Sequence, residues 1–287
     1  MRIPRYWAKE TYSSTDREGK KHAFRGLGWS FESLAAAKKS ASESARRIFA
    51  RLTSGKRPDS YEYLERPLRE ELIDSVTHDG DEIAVITRNR YGALVLNAAC
   101  VCFADVDFPA VQSHGLMDAI LLAFSTKRRS QRLQAGRAAT WRQVKDWATR
   151  HPEHSFRIYR TFAGLRLLFT DRLYQPTSPD VADLLRGLGS DELYRKLTEK
   201  QECFRARLTP KPWRCGCRRP PNRYPWIEDK EEEAYREWER EYEQKASRHV
   251  ACRLIETVGE DASEPRVKMI VEVHDRNASG ASDAELA

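Results

Sequence analysis

The chain of 287 residues contains no run approaching the roughly 20 apolar residues a membrane-spanning helix needs. Its opening MRIPRYWAKE lacks the apolar core of a secretion signal. No Gly-rich phosphate loop follows a strand-like segment, since RGLGW and RGLGS are too short and wrongly placed. The histidines do not group with a serine or cysteine as a hydrolase triad requires. These gaps set the expectation of a cytoplasmic protein whose six cysteines are reduced thiols and not a disulfide framework. Cys215-x-Cys217 and His249-x-x-Cys252 would supply four soft ligands, but zinc knuckles favour two or more residues between cysteines. That spacing argues against zinc, and Cys100 and Cys102 read as core.

Hydrophobic residues make up 40% and charged residues 32%, as in a globular protein with a well-solvated surface. The length suits one large domain or two modest ones. The formal net charge is +7, which directs attention to polyanionic partners and to where the cations lie.

RIPRYWAKETY reads as a short strand and STDREGKKH as a turn. In GLGWSFESLAAAKKSASESARRIFARL, Ser30 is a candidate cap for a helix whose stripe is Leu34, Ala37, Ala41, Ala45, Ile48 and Phe49. Residues 53–66 read as a loop. Strand 83–88, a turn at Asn89 to Gly92 and one long strand ending in VCFADVDF form a first hairpin. Two helices follow, the second capped at Thr140 with Val144, Trp147 and Ala148 inward. A second hairpin joins SFRIYRT to LRLLFT through Phe162-Ala163-Gly164. SPDVADLLRGLG and DELYRKLTEKQECF read as helices. A long charged helix from EEEAYREWE onward to Val258 carries Tyr235, Trp238 and Tyr242 on one face. The order of elements indicates an α+β fold with helices packed on an antiparallel sheet. The layout is an N-terminal strand and helix over 1–82, a core with a basic segment over 83–227, a helix and strand over 228–275, and a disordered tail over 276–287.

Asp105 and Asp107 lie one residue apart in this apolar strand, so both point to one face, roughly 7 Å apart. Like charges held this close against apolar neighbours suit a divalent cation, Mg²⁺ or Mn²⁺. The bland alternative is that the strand simply ends there in water. In RIYRTFAGLRLLF, Arg160, Thr161, Gly164 and Arg166 are residue types that bind phosphates: guanidinium forks, a hydroxyl and exposed N–H groups. An ordinary hairpin with one solvated face is the alternative.

A strand ending in hydrophobic-Asp-hydrophobic-Asp, then helices, then R-T-x-x-G-x-basic resembles the catalytic core of the archaeo-eukaryotic primase superfamily, over residues 83 to about 210. The resemblance implies a primase-like (RRM-like) core in which Asp105 and Asp107 bind metal and Thr161 and Gly164 belong to the nucleotide motif. Arg166 stands where that family has histidine. Glu199 and Glu202 are the candidates for its third acid. The segments IPRYWAK, RPLREE, ITRNRYGALVLN and FRARLTPKPWR are also similar to a set of bacterial proteins, a likeness that implies no function.

Between Glu202 and Glu228 there is no acid, whereas Arg205, Arg207, Lys211 and Arg214 occur among seven cations, interleaved with Trp213, Tyr224 and Trp226. Cations for phosphates and rings for bases are the ingredients of a single-strand nucleic-acid surface. A second acid-free stretch, Lys127 to Lys145, includes Arg128 and Arg129. The expectation is metal-dependent nucleotidyl transfer. Asp105, Asp107 and Arg166 would be catalytic, Arg160 and Thr161 would help hold a nucleoside triphosphate, and the basic stretches would hold nucleic acid. The alternatives are an inactive primase-like binding protein and a metal-dependent nuclease.

Overall fold

The computed structural model describes residues 1–16, 19–53, 67–111, 113, 115–279 and 284–287. Tyr6–Thr15 (β1) and Lys21–Ser30 (β2) form an antiparallel hairpin, on which helix α1 (Leu34–Thr53) lies. GLGWS therefore ends a strand. Ser30 Oγ accepts from the Glu32 N–H at 3.0 Å, while Ser33 Oγ accepts from the Ala36 N–H at 3.1 Å and is the cap. Ala37, Ala41 and Ala45 are fully buried, but Leu34 and Ile48 are exposed, so the contact is made of small residues. Gly26 and Gly28 on β2 allow it: a methyl at Gly28 would stand 2.1 Å from Ala41 N. The loop expected from 53 to 66 lies, beyond Thr53, outside the described residues.

β3 (Glu71–His78), β4 (Asp81–Arg88) and β5 (Leu94–Ala98) run antiparallel, with Asp79-Gly80 in the left-handed turn of the first hairpin and Asn89–Gly92 in the second. The long strand expected from residue 93 to 107 is instead two. The backbone leaves β5 at Ala99, and β6 (Phe103–Asp107) joins a different sheet. Ala98 to Ala104 is apolar throughout, and such a run carries no periodic mark of where one strand ends and another begins.

Helix α2 (Leu116–Phe124) is followed directly by α3 (Thr126–Arg150), capped by Ser125, whose Oγ accepts from the Arg128 N–H. The break expected at Thr140 is absent: its hydroxyl donates back to the Gly136 carbonyl inside α3. Gln, Ala and Arg around Gly136 are good helix formers and carry the helix through. β7 (Phe156–Thr161) and β8 (Gly164–Phe169) form the expected second hairpin, and α4 (Pro179–Gly187) and α5 (Glu192–Gln201) the expected helices. β9 (Phe204–Arg207) pairs with β5. Helix α6 (Asp229–Ala246) stops twelve residues short of Val258, because residues 249–258 are extended as β10 (His249–Val250) and β11 (Cys252–Val258). Helix α7 (Pro265–Ala278) and β12 (Glu285–Leu286) complete the chain.

The fold is α+β. Its two four-stranded sheets, β3-β4-β5-β9 and β11-β7-β8-β6, are antiparallel throughout, and both draw strands from outside 83–227. Trp147 of α3 packs against Phe156 and Phe169 on one face of the second sheet; His274 of α7 packs against Phe103 and Tyr159 on the other. The tail expected to be disordered is in part ordered. Residues 276–278 finish α7, β12 pairs in parallel with β10, and Ala287 is buried. Two backbone pairs and one buried methyl are too small a signal to read from composition. Among the described residues no helix is long and apolar enough to cross a membrane.

Candidate phosphate and metal site at the end of β6

Strand alternation puts Phe103, Asp105 and Asp107 on the face of the second sheet covered by α7. Their cross-strand partners on β8 are Leu168, Arg166 and Gly164. A methyl at Gly164 would lie 2.3 Å from the Val106 carbonyl, so glycine permits the close approach of β6. Arg166 faces Asp105 as a fork, with Nε 2.8 Å from Oδ1 and Nη2 3.2 Å from Oδ2. Its Nη1 donates to the Arg207 carbonyl at 2.9 Å and lies 3.5 Å from His274 Nε2. Only 2% of this arginine is exposed. Burial opposes its charge, but the Asp105 carboxylate more than offsets that and holds its pKa above the ordinary arginine value. Arg166 is thus the buried partner of Asp105, and its donors do not face an incoming triphosphate as expected.

Behind Arg166 the polar network continues. His274 Nδ1 lies 2.9 Å from Asp275 Oδ1, which also accepts from the Tyr159 hydroxyl at 2.7 Å, while Arg157 donates to Asp275 Oδ2 at 2.8 Å. Burial pushes the His274 pKa below its usual value, against the pull of Asp275. The arrangement fits a neutral ring, with Nδ1–H donating to Asp275 and the Nε2 lone pair turned toward Arg166.

Asp107 is in a different position. The residue is exposed at the strand end, yet the surrounding protein partly desolvates its carboxyl. That desolvation raises its pKa first, then the charges of Asp105 and Asp191, with Lys211 and Arg214 pulling the other way. Asp191 caps α5, accepting from the Tyr194 N–H at 2.9 Å. The start of α5 is stapled to β6, because Ser190 Oγ donates to the Asp105 carbonyl at 2.9 Å and the Tyr194 hydroxyl to the Phe103 carbonyl at 2.7 Å. Besides Asp105, the acid whose charge reaches Asp107 is therefore Asp191, and neither Glu199 nor Glu202 does so. Glu199 is exposed along α5, and Glu202 sits at its C-cap near Arg2. Ser-Asp ahead of ELY reads in sequence as a helix cap and nothing more, which conceals Asp191.

Among the described residues no three His, Cys, Asp or Glu side chains close into a ready-made metal cage. Mg²⁺ does not require one: it is commonly held by one or two carboxylates together with substrate phosphates and water. Asp107 and Asp191, whose mutual repulsion a cation would relieve, fit that pattern.

β9 and the turn after it bring cations to these acids. Thr209 Oγ1 accepts from the Leu94 N–H at 2.8 Å and the Tyr242 hydroxyl donates to the Pro210 carbonyl at 2.6 Å, anchoring the segment that presents Lys211 and Arg214. Nε and Nη1 of Arg207 and Nη1 of Arg214 are buried with no hydrogen-bond partner. Burial, then the charges of Arg166 and Arg214, lower the Arg207 pKa to about 10. Lys211 is lowered by burial and by Arg207 and Arg214, and Arg214 by burial. Buried donors without acceptors also occur at Arg88, Arg157 and Arg195, but here they coincide with crowded like charges, an arrangement that an anion would complement.

The other expected site residues lie elsewhere or do structural work. Arg205 donates to both oxygens of Glu70 at 2.8 and 2.9 Å and to Asn97, an internal ion pair that takes it out of any nucleic-acid surface. Thr161 Oγ1 accepts from the Gly164 N–H at 2.9 Å and closes the β7–β8 turn. Arg160 projects from the opposite face of the sheet to Arg166. It donates to the Thr161 and Gly164 carbonyls and lies 4.1 Å from the Phe108 ring centroid. Arg128 and Arg129 are exposed on the first turns of α3, which buries nothing before Thr140. Cys215 and Cys217 pack with Tyr235, Trp238 and Tyr242, while Cys252 lies in the main core beside His274. Comparison with protein-family models, curated proteins and solved structures finds no match to this chain, so the site rests on its own geometry.

Proposed function

We propose that the chain is a metal-dependent nucleotidyltransferase acting on a nucleoside triphosphate and a nucleic-acid strand. One observation carries this reading: Lys211 and Arg214 act on the charge of Asp107, which Asp191 also reaches, and they are crowded against Arg207, with buried guanidinium N–H groups of Arg207 and Arg214 left unpartnered. Cations for phosphate beside acids for a divalent ion are the minimum apparatus of phosphoryl-group transfer. Asp107 and Asp191 would hold Mg²⁺ or Mn²⁺, which neutralises phosphate charge when bound. Arg207, Lys211 and Arg214 take phosphate oxygens of the triphosphate and of the strand bound beside it, a task that Arg166 cannot perform from beneath the sheet surface. Asp105, oriented by Arg166, would lend its charge to the same site. The reaction is attack of a strand 3′-hydroxyl on the α-phosphate, with pyrophosphate leaving.

A second reading, binding without transfer, is favoured by the Arg166 fork, which engages both oxygens of Asp105. The test is extension of a labelled primer–template with mixed deoxy- and ribonucleoside triphosphates and Mg²⁺ or Mn²⁺. Wild type should extend the primer, and Asp107→Ala should lose about 100-fold or more in rate, the scale of removing one transition-state contact. Strand affinity should stay within about twofold of wild type. Lys211→Ala should weaken strand binding and flatten its log–log salt slope by about 0.7, one phosphate contact on a single strand. Salt-sensitive binding with no extension under either metal would put the binding reading first. Shortened strands would identify a nuclease.

A further inference from the structure

Three turns that are distant in sequence each present an aromatic ring beside this site. Trp213 follows Lys211 in the turn after β9, Tyr91 sits in the β4–β5 turn, and Phe162 in the β7–β8 turn. Trp213 is 43% exposed and Phe162 49%. Each ring also carries a cation. The Arg219 guanidinium lies 5.1 Å from the Trp213 centroid and 5.9 Å from that of Tyr91. Lys211 Nζ lies 5.6 Å from Trp213, and the Arg214 guanidinium 4.0 Å from Phe162. Trp213 meets Tyr91 edge-on, with centroids 5.3 Å apart. Lys211 and Arg214 are the same cations whose charges act on Asp107, so the rings border the acids through them.

The platform is braced from below. Gly92 is pressed against Trp238 of α6, where a methyl would lie 2.1 Å from the indole, and this holds the turn that carries Tyr91. The Trp238 Nε1–H donates to the Arg218 carbonyl at 2.8 Å, which holds the backbone next to Arg219. The stripe of α6 therefore supports two of the turns that display rings and cations.

We infer that Trp213, Tyr91 and Phe162 form a base-stacking platform for single-stranded nucleic acid, with Arg219, Lys211 and Arg214 engaging its phosphates. A flat ring capped by a guanidinium offers a π-face to any base while the cation pairs with the adjoining phosphate, so stacking is tolerant of sequence and sugar. The inference rests on the phosphate site proposed above and adds the bases to it.

The test separates bases from phosphates. Fluorescence anisotropy at fixed salt compares a labelled 20-nucleotide thymidylate strand with an abasic strand of equal length, in DNA and RNA forms of the base-bearing strand. Wild type should bind the base-bearing strands at least tenfold more tightly. Trp213→Ala and Tyr91→Ala should weaken those strands about 5- to 100-fold, the scale of one lost stack, and leave the abasic strand unchanged. Phe162→Ala, at the most exposed ring, serves as the second variant, and circular dichroism melts confirm that each variant folds. Equal wild-type affinity for both kinds of strand, or a preference that survives Trp213→Ala and Phe162→Ala, would overturn the platform. If Lys211→Ala still weakened every strand in that case, the phosphate site would stand without it. Binding of neither strand would remove both.

Discussion

Asp105 and Asp107 share a face of one short strand and yet have opposite electrostatic situations. Asp105 neutralises a buried guanidinium, whereas Asp107 is pushed toward protonation by partial desolvation and by Asp105 and Asp191. Removing each charge should therefore move stability in opposite directions. Asp105→Asn strands Arg166 and should cost about 3 kcal/mol, the low end for breaking a buried ion pair because Asp105 itself is partly exposed. Asp107→Asn should raise the melting temperature of the metal-free protein only slightly, by about 1 °C or less, because the residue is exposed at the strand end and solvent screens its repulsion. If the proposed site binds Mn²⁺, wild type should gain a further rise from that ion and Asp107→Asn should lack it. Denaturant and thermal melts of the two variants, with and without Mn²⁺, check both; a destabilised Asp107→Asn would contradict the electrostatic account. His274 adds a pH dependence. Its folded pKa lies below the ordinary value of 6.5, so over the window between the two the unfolded chain binds a proton that the folded chain refuses. Stability must fall as pH drops through that window, by up to about 1.4 kcal/mol per pH unit. His274→Asn should lack this part of the slope, so equal slopes in urea melts at successive pH values would remove His274 as its source. At this scale the alternation of the aspartates is readable from sequence, but the counter-charge of Asp105 on the neighbouring strand is not. It is Arg166, supplied by a strand register that only pairing reveals.

At the scale of elements, local signals were reliable where they were strong. The β7–β8 hairpin, α4 and α5 follow from alternation, turn residues and the caps Ser178 and Asp191. They failed where packing overrode them. Ala98 to Ala104 is divided between two sheets, and α3 runs through Gly136 and Thr140 without a break. The N-terminal unit is the sharpest case, because its contact uses glycine and alanine where an apolar stripe would call for leucine and isoleucine. Gly28→Ala would drive a methyl into the α1 backbone, 2.1 Å from Ala41 N and 2.3 Å from Ala37 O. The cost should be at least the roughly 1–3 kcal/mol of an overpacked core. Limited proteolysis should then cut between β1 and α1 much faster than in wild type; an unchanged digestion pattern would mean that the helix yields at little cost.

At the scale of the whole molecule, the net charge of +7 says less than its placement. Many of its cations are paired: Arg88 with Glu239 and Glu243, Arg205 with Glu70, Arg236 with Glu71 and Glu239. Arg207, Lys211 and Arg214 differ in being drawn together with their charges poorly compensated. Their neighbours come from β6, α5 and α7, so the candidate site gathers residues from 105 to 274. From the sequence alone one obtains the α+β class, the second hairpin, the one-sided aspartates and the acid-free basic segment. All of these rest on periodicity, caps and composition, which act within a few residues. Only the tertiary structure decided that Arg166 belongs to Asp105, that the charge of Asp191 reaches Asp107, that Arg205 is internal, and that His274 closes the network. Those outcomes depend on which distant groups meet in a medium too dry to leave a charge alone, and local sequence does not encode that meeting.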